Sequence, residues 1–95
     1  MSMVRAHVVV QGKVQGVYYR VCTQNQALLL ELTGWVRNCP DGSVEVIIEG
    51  DRERVEELTA WCKKGPAESA VSDLSVDWQP YTGEFNDFDI APTKV

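Results

Sequence analysis

Several things are scarce in this 95-residue sequence, and each scarcity narrows its function. No apolar run approaches the ~20 residues that a membrane-spanning helix needs. The N-terminal MSMVRAHVVVQG has one arginine and a short apolar run, then turns polar at Gln11-Gly12-Lys13, without the small-residue cleavage site of a secretory leader. A cytoplasmic protein is expected, with no membrane partner. Cysteine is limited to Cys22, Cys39 and Cys62, an odd number with neither zinc-type nor CxxC spacing. These read as reduced thiols packed like small hydrophobes. Histidine occurs once, as His7 on a strand face, where a solvated or edge role outweighs catalysis. Basic charge is also short: 9 Lys and Arg against 14 Asp and Glu give a net charge of −5. Such a balance is poorly suited to a nucleic-acid backbone, and no RNP1-type aromatic motif is present.

The basic residues are unevenly placed. Residues 1–40 carry Arg5, Lys13, Arg20 and Arg37 against the single acid Glu31, whereas residues 41–95 are strongly acidic. The hydrophobic content of 44% and charged content of 24% are those of one globular domain spanning residues 1–95.

Periodicity supplies the elements. Residues 6–11 alternate, with Ala6, Val8 and Val10 on one face. A helix is expected over 21–32, with Val21, Leu28 and Leu32 inward and Gly34 terminating it through positive φ. Trp35-Val36 opens a strand, Cys39-Pro40-Asp41-Gly42 reads as a hairpin turn, and 43–49 forms the returning strand. A second helix over 52–64 has Asp51 as its N-cap and Val55, Leu58 and Cys62 as its apolar stripe. Residues 71–79 alternate again, and 85–90 form a short last strand with Phe88 and Ile90 inward. The order predicts an α+β fold, a ferredoxin-like split β-α-β sandwich: an antiparallel sheet of four to five strands with two helices on one face.

The stretch VQGKVQGVYYR joins the first strand to the first helix. Glycine at such a junction lets a ligand approach the backbone, and the N–H groups and dipole of a helix N-terminus attract anions. Arg20 adds a guanidinium whose donors match two phosphate oxygens. Neither the GxxxxGK[ST] nor the GxGxxG phosphate fingerprint is present. From the residues alone, a tight structural turn with a solvated arginine explains the loop as well. Asn38 has two readings too: it carries the donor and acceptor needed to hold a water, or it caps the following turn.

The segments GKVQGVYYR, TGWVRN and DGSVEV, in this order and spacing, resemble the signature segments of the acylphosphatase family. The resemblance extends from Val8 to Ile90. It implies a small stand-alone enzyme that hydrolyses acyl phosphates to carboxylate and inorganic phosphate, without metal or cofactor. It further implies that the backbone of Gln15, Gly16, Val17, Tyr18, Tyr19 and Arg20 wraps the phosphate. The family's essential arginine falls on Arg20 and its water-orienting asparagine on Asn38. Tyr18-Tyr19 and Glu31 depart from the usual pattern, as does the tail after Ile90. The expected partner is a small-molecule acyl phosphate, with no nucleic acid, and the expected state is a monomer. The rivals are a non-catalytic binding module of the same fold, a carbamoyl-phosphate-handling domain of the kind found in hydrogenase maturation proteins, and a member that has lost activity.

Overall fold

Alternating valines build the middle of the sheet. In the computed structural model, which describes residues 2–95, strand β1 runs over Met3–Lys13 and places Ala6, Val8 and Val10 in the core, all fully buried. It pairs antiparallel on one side with β3 (Val44–Asp51) and on the other with β4 (Ala70–Gln79). Strand β2 (Thr33–Asn38) lies antiparallel to β3. The final strand, β5 (Phe88–Ile90), completes the order β4-β1-β3-β2-β5.

The sheet is mixed rather than wholly antiparallel, because β5 runs parallel to β2. The chain leaves β4 beside Arg5 at one end of the sheet and crosses to the far edge, so it must enter β5 in the direction of β2. Glu49 holds that crossing. Its carboxylate, on the face of β3 opposite the helices, is fully buried and accepts hydrogen bonds from Thr82 N–H (2.9 Å), Thr82 Oγ1 (2.8 Å) and Gly83 N–H (3.1 Å). Arg5 lies 3.4 Å from the same carboxylate and stacks its guanidinium on Phe85. The last strand is accordingly shorter than the expected 85–90: Phe88 is buried and Ile90 is exposed.

Helix α2 (Arg52–Lys64) has the expected bounds, and Val55, Leu58 and Cys62 are buried as its stripe requires. Asp51 occupies the N-cap position, but its side chain makes no capping bond. Helix α1 departs further from expectation. It spans Tyr19–Leu29, and its buried residues are Tyr19, Thr23 and Ala27, spaced four apart, while Val21 and Leu28 face outward. Tyr19 takes the inward place by donating its hydroxyl proton to the Cys62 carbonyl of α2 at 2.8 Å. The left-handed residue after α1 is Glu31 (φ 57°), not Gly34. No helix among the described residues is long and apolar enough to cross a membrane.

Gly34 has a different duty, inside β2. Its φ is +135°, and a Cβ there would lie 1.9 Å from the Ile47 carbonyl oxygen of β3. Gly34→Ala is therefore expected to destabilise the fold by about 3 kcal/mol, since the obstacle is backbone and cannot rotate away. Urea denaturation measures this, and a loss below about 1 kcal/mol would contradict the geometry. A bulge between β1 and β4 shifts the register at Gln11/Gly12. This shift, absent from the expected strict alternation of 71–79, lets Val71 as well as Leu74 and Val76 pack against the core.

Candidate active site

The chain between β1 and α1 bends through two left-handed residues. Gly16 has φ 74°, and Tyr18, at the N-cap of α1, has φ 63° and ψ 19°. A Cβ on Gly16 would meet no atom within 4 Å, so the glycine answers to its φ and not to protein packing. Tyr18 lacks that freedom, and its left-handed backbone costs about 1–2 kcal/mol. Its neighbours keep it there: Val17 is only 6% exposed and Tyr19 1%, so both side chains are fixed in the core while Tyr18, 75% exposed, is turned out between them.

This bend leaves donors unused. Among the described residues the N–H groups of Gln15, Gly16, Val17 and Tyr18 donate to no backbone or side-chain acceptor within the chain. The first N–H groups of α1 follow them, unpaired as in any helix, with the positive end of the helix dipole behind. Left-handed residues two apart, as Gly16 and Tyr18 are, occur in loops that present successive N–H groups outward. A cavity of about 400 Å³ opens here, lined by Val14, Gly16, Tyr18, Tyr19, Arg20 and Val21. Arg20 is half-buried in its wall and makes no ion pair with any carboxylate among the described residues.

The Tyr19 phenol in the cavity wall holds its proton tightly. Burial raises the Tyr19 phenol far above its ordinary range, with the neighbouring Cys62 adding to the shift. Cys62 is itself pushed up to about 12 by burial. All three cysteines are free thiols. His7 stands elsewhere, on β1, with Nε2 2.6 Å from Glu45, which also binds Arg37.

Asn38 closes β2, opposite Val44 of β3. Its Oδ1 is buried without a hydrogen-bond partner, the only such side-chain atom among the described residues. An unsatisfied buried acceptor costs about 1–3 kcal/mol. The turn-capping alternative for Asn38 does not hold, because Asp41 does that work: its Oδ1 accepts from the Ser43 N–H at 2.9 Å and the Ser43 hydroxyl at 2.6 Å. The same two bonds draw the Asp41 carboxyl below its usual range.

Of the expected site residues, Gly16, Tyr18, Tyr19 and Arg20 wall the cavity. Gln15 and Val17 do not line it, and Asn38 sits on the neighbouring hairpin rather than in the wall. Gln15 links the two: its Nε2 donates to the carbonyls of Cys39 (2.9 Å) and Ser43 (2.8 Å), on either side of the hairpin turn. Sequence reasoning assigned Gln15 a backbone role and missed this side-chain one. It also missed Val21, which borders the cavity instead of the core. An exposed helical valine beside an arginine was the available signal.

The family model for acylphosphatase matches residues 6–90. A curated acylphosphatase of Pelotomaculum thermopropionicum is 60% identical over 91 residues, covering 96% of this chain and 99% of that protein. Among solved structures, an acylphosphatase from Coxiella burnetii superposes with a TM-score of 0.89 at 37% identity, covering 94% of this chain and 93% of its own. The acylphosphatase from Bacillus subtilis gives 0.89 at 33% identity, with coverages of 93% and 98%.

Proposed function

The chain belongs to the acylphosphatase family and is an enzyme of acyl phosphate hydrolysis, and from that premise we propose that the Gln15–Arg20 loop holds the phosphoryl group while Asn38 orients the attacking water. The observation that carries this reading is the run of unpaired N–H groups along residues 15–18, with the unpaired Arg20 guanidinium, in a loop whose Gly16, Tyr18 and Arg20 wall one cavity. They supply positive potential where negative charge gathers on the equatorial phosphoryl oxygens, in a site already organised before reaction. Asn38 Oδ1, buried and lacking a partner, can accept a hydrogen bond from the water and aim the water's oxygen at phosphorus.

The chemistry asks for little more. Water attacks phosphorus, the bond from phosphorus to the acyl oxygen breaks, and the carboxylate departs with the electron pair. A carboxylate is a good leaving group, so no general acid has to protonate it. The water's proton passes to a phosphoryl oxygen, leaving inorganic phosphate. Tyr19 and Cys62, with their protons held tightly, take no part in that transfer. Arg20 and the N–H groups fill the charge-stabilising role that a divalent cation fills in other phosphoryl-transfer sites, so the reaction proceeds without metal.

Three measurements on benzoyl phosphate hydrolysis test this together. Turnover in EDTA should stay within about twofold of the untreated rate; a loss of about tenfold restored by a divalent cation would show metal dependence. Inorganic phosphate should inhibit competitively, and noncompetitive inhibition would place its site elsewhere. The kcat profile should lack a limb near pH 7 belonging to an enzyme group.

A further inference from the structure

We infer that the Gln15 side chain is a positioning residue that sets the distance between the phosphoryl cradle and Asn38, an inference that rests on the roles proposed above. One amide nitrogen has two protons, and both are committed: one to the Cys39 carbonyl at 2.9 Å, the other to the Ser43 carbonyl at 2.8 Å. Cys39 directly follows Asn38, and Ser43 directly precedes Val44, the residue opposite Asn38 in the ladder. The two bonds therefore hold both arms of the hairpin, one residue to the turn side of the Asn38–Val44 pair. At its other end, Gln15 is flanked in the chain by Val14 and the left-handed Gly16, both of the cavity wall.

Among the described residues, no other side-chain hydrogen bond connects residues 14–20 with residues 38–44. The turn itself is already closed by Cys39 N–H to Ser43 O at 2.9 Å and Gly42 N–H to Cys39 O at 3.1 Å, so Gln15 is not needed to form it. What it adds is registration of the finished hairpin against the loop. In-line attack is sensitive to such registration, because a shift of about 1 Å can cost about 100-fold in rate. The same commitment turns the Gln15 amide away from the phosphoryl group, which leaves its N–H to the cradle and its side chain to the hairpin.

The test is a double-mutant cycle in kcat between Gln15 and Asn38. Gln15→Ala removes the tie; Gln15→Met removes both donors but keeps the length of the side chain, and serves if the alanine variant fails to fold. Either change should lower kcat about tenfold while the inhibition constant of inorganic phosphate moves by less than about threefold. With Asn38→Ala already in place, the same Gln15 change should cost less than about twofold, because the water it positions has lost its acceptor. An equal cost in both backgrounds, or phosphate binding that weakens in step with kcat, would mean that Gln15 only supports the loop and would overturn the inference alone. Full activity in Asn38→Ala would overturn the water-orienting role and this inference with it.

Discussion

Arg20→Ala is expected to lower kcat/KM for benzoyl phosphate by about 1,000-fold or more, the range found when a guanidinium is removed from a phosphoryl-transfer site. On the role proposed for Arg20 the loss should appear in both binding and turnover, because its charge would meet the phosphoryl group in the ground state and more charge in the transition state. The loop N–H groups stay in place and account for the residual activity. The fold should barely respond: Arg20 makes no ion pair, so its removal should change stability by no more than about 0.5 kcal/mol. Arg20→Lys keeps the charge but loses the planar fork, and should recover only part of the rate. Steady-state kinetics alongside urea denaturation separates the two effects. A decrease in kcat/KM below about tenfold would remove Arg20 from the site.

Asn38→Ala should show the opposite division between binding and rate. Its kcat is expected to fall about 100-fold, comparable to removal of one preorganised hydrogen-bonding group from an active site. The inhibition constant for phosphate should stay nearly constant, since the cradle does not include Asn38. Stability adds a second readout with a definite sign. A buried amide placed for structure would make its bonds, and losing it would weaken the fold. Asn38 Oδ1 makes none, so deleting it removes an uncompensated acceptor, and stability should hold or rise by about 1 kcal/mol. Retained kcat with a weakened fold would identify a structural asparagine instead.

Much of this architecture was legible in the residues, and the failures have physical causes. Helix α2 could be read closely because a polar start, an apolar stripe and a Lys-Lys-Gly-Pro end all agree. Helix α1 was misplaced because its inward residues after Tyr19 are Thr23 and Ala27, which carry little hydrophobic signal, while exposed Leu28 and Leu29 imitate an inward face. Position 19 looked like part of the loop because its inward place depends on a carbonyl 43 residues away. The direction of β5 was hidden too: a crossover's length does not state which way the chain re-enters a sheet. In the site, two glycines and an arginine marked the loop, and Asn38 stood out as a polar residue before a turn. The Gln15 tie had no comparable mark, because its acceptors are main-chain carbonyls, which every residue type possesses.

The Glu49 anchor has a bearing on solubility. Beyond β2 the sheet is closed by β5, held at Gly34↔Phe88, Trp35↔Asp89 and Val36↔Ile90, and the N–H groups of Ala91 and Lys94 extend that cover to the Val36 and Asn38 carbonyls. The crossing that delivers β5 is fastened by the Glu49 carboxylate at Thr82 and Gly83 and by Arg5 at Thr82, Glu84 and Phe85. If that fastening opens, β2 becomes an uncovered edge whose N–H and C=O groups can accept a strand from another molecule. A buried carboxylate at the far end of the sheet from the cavity thus helps to keep the edge of β2 covered.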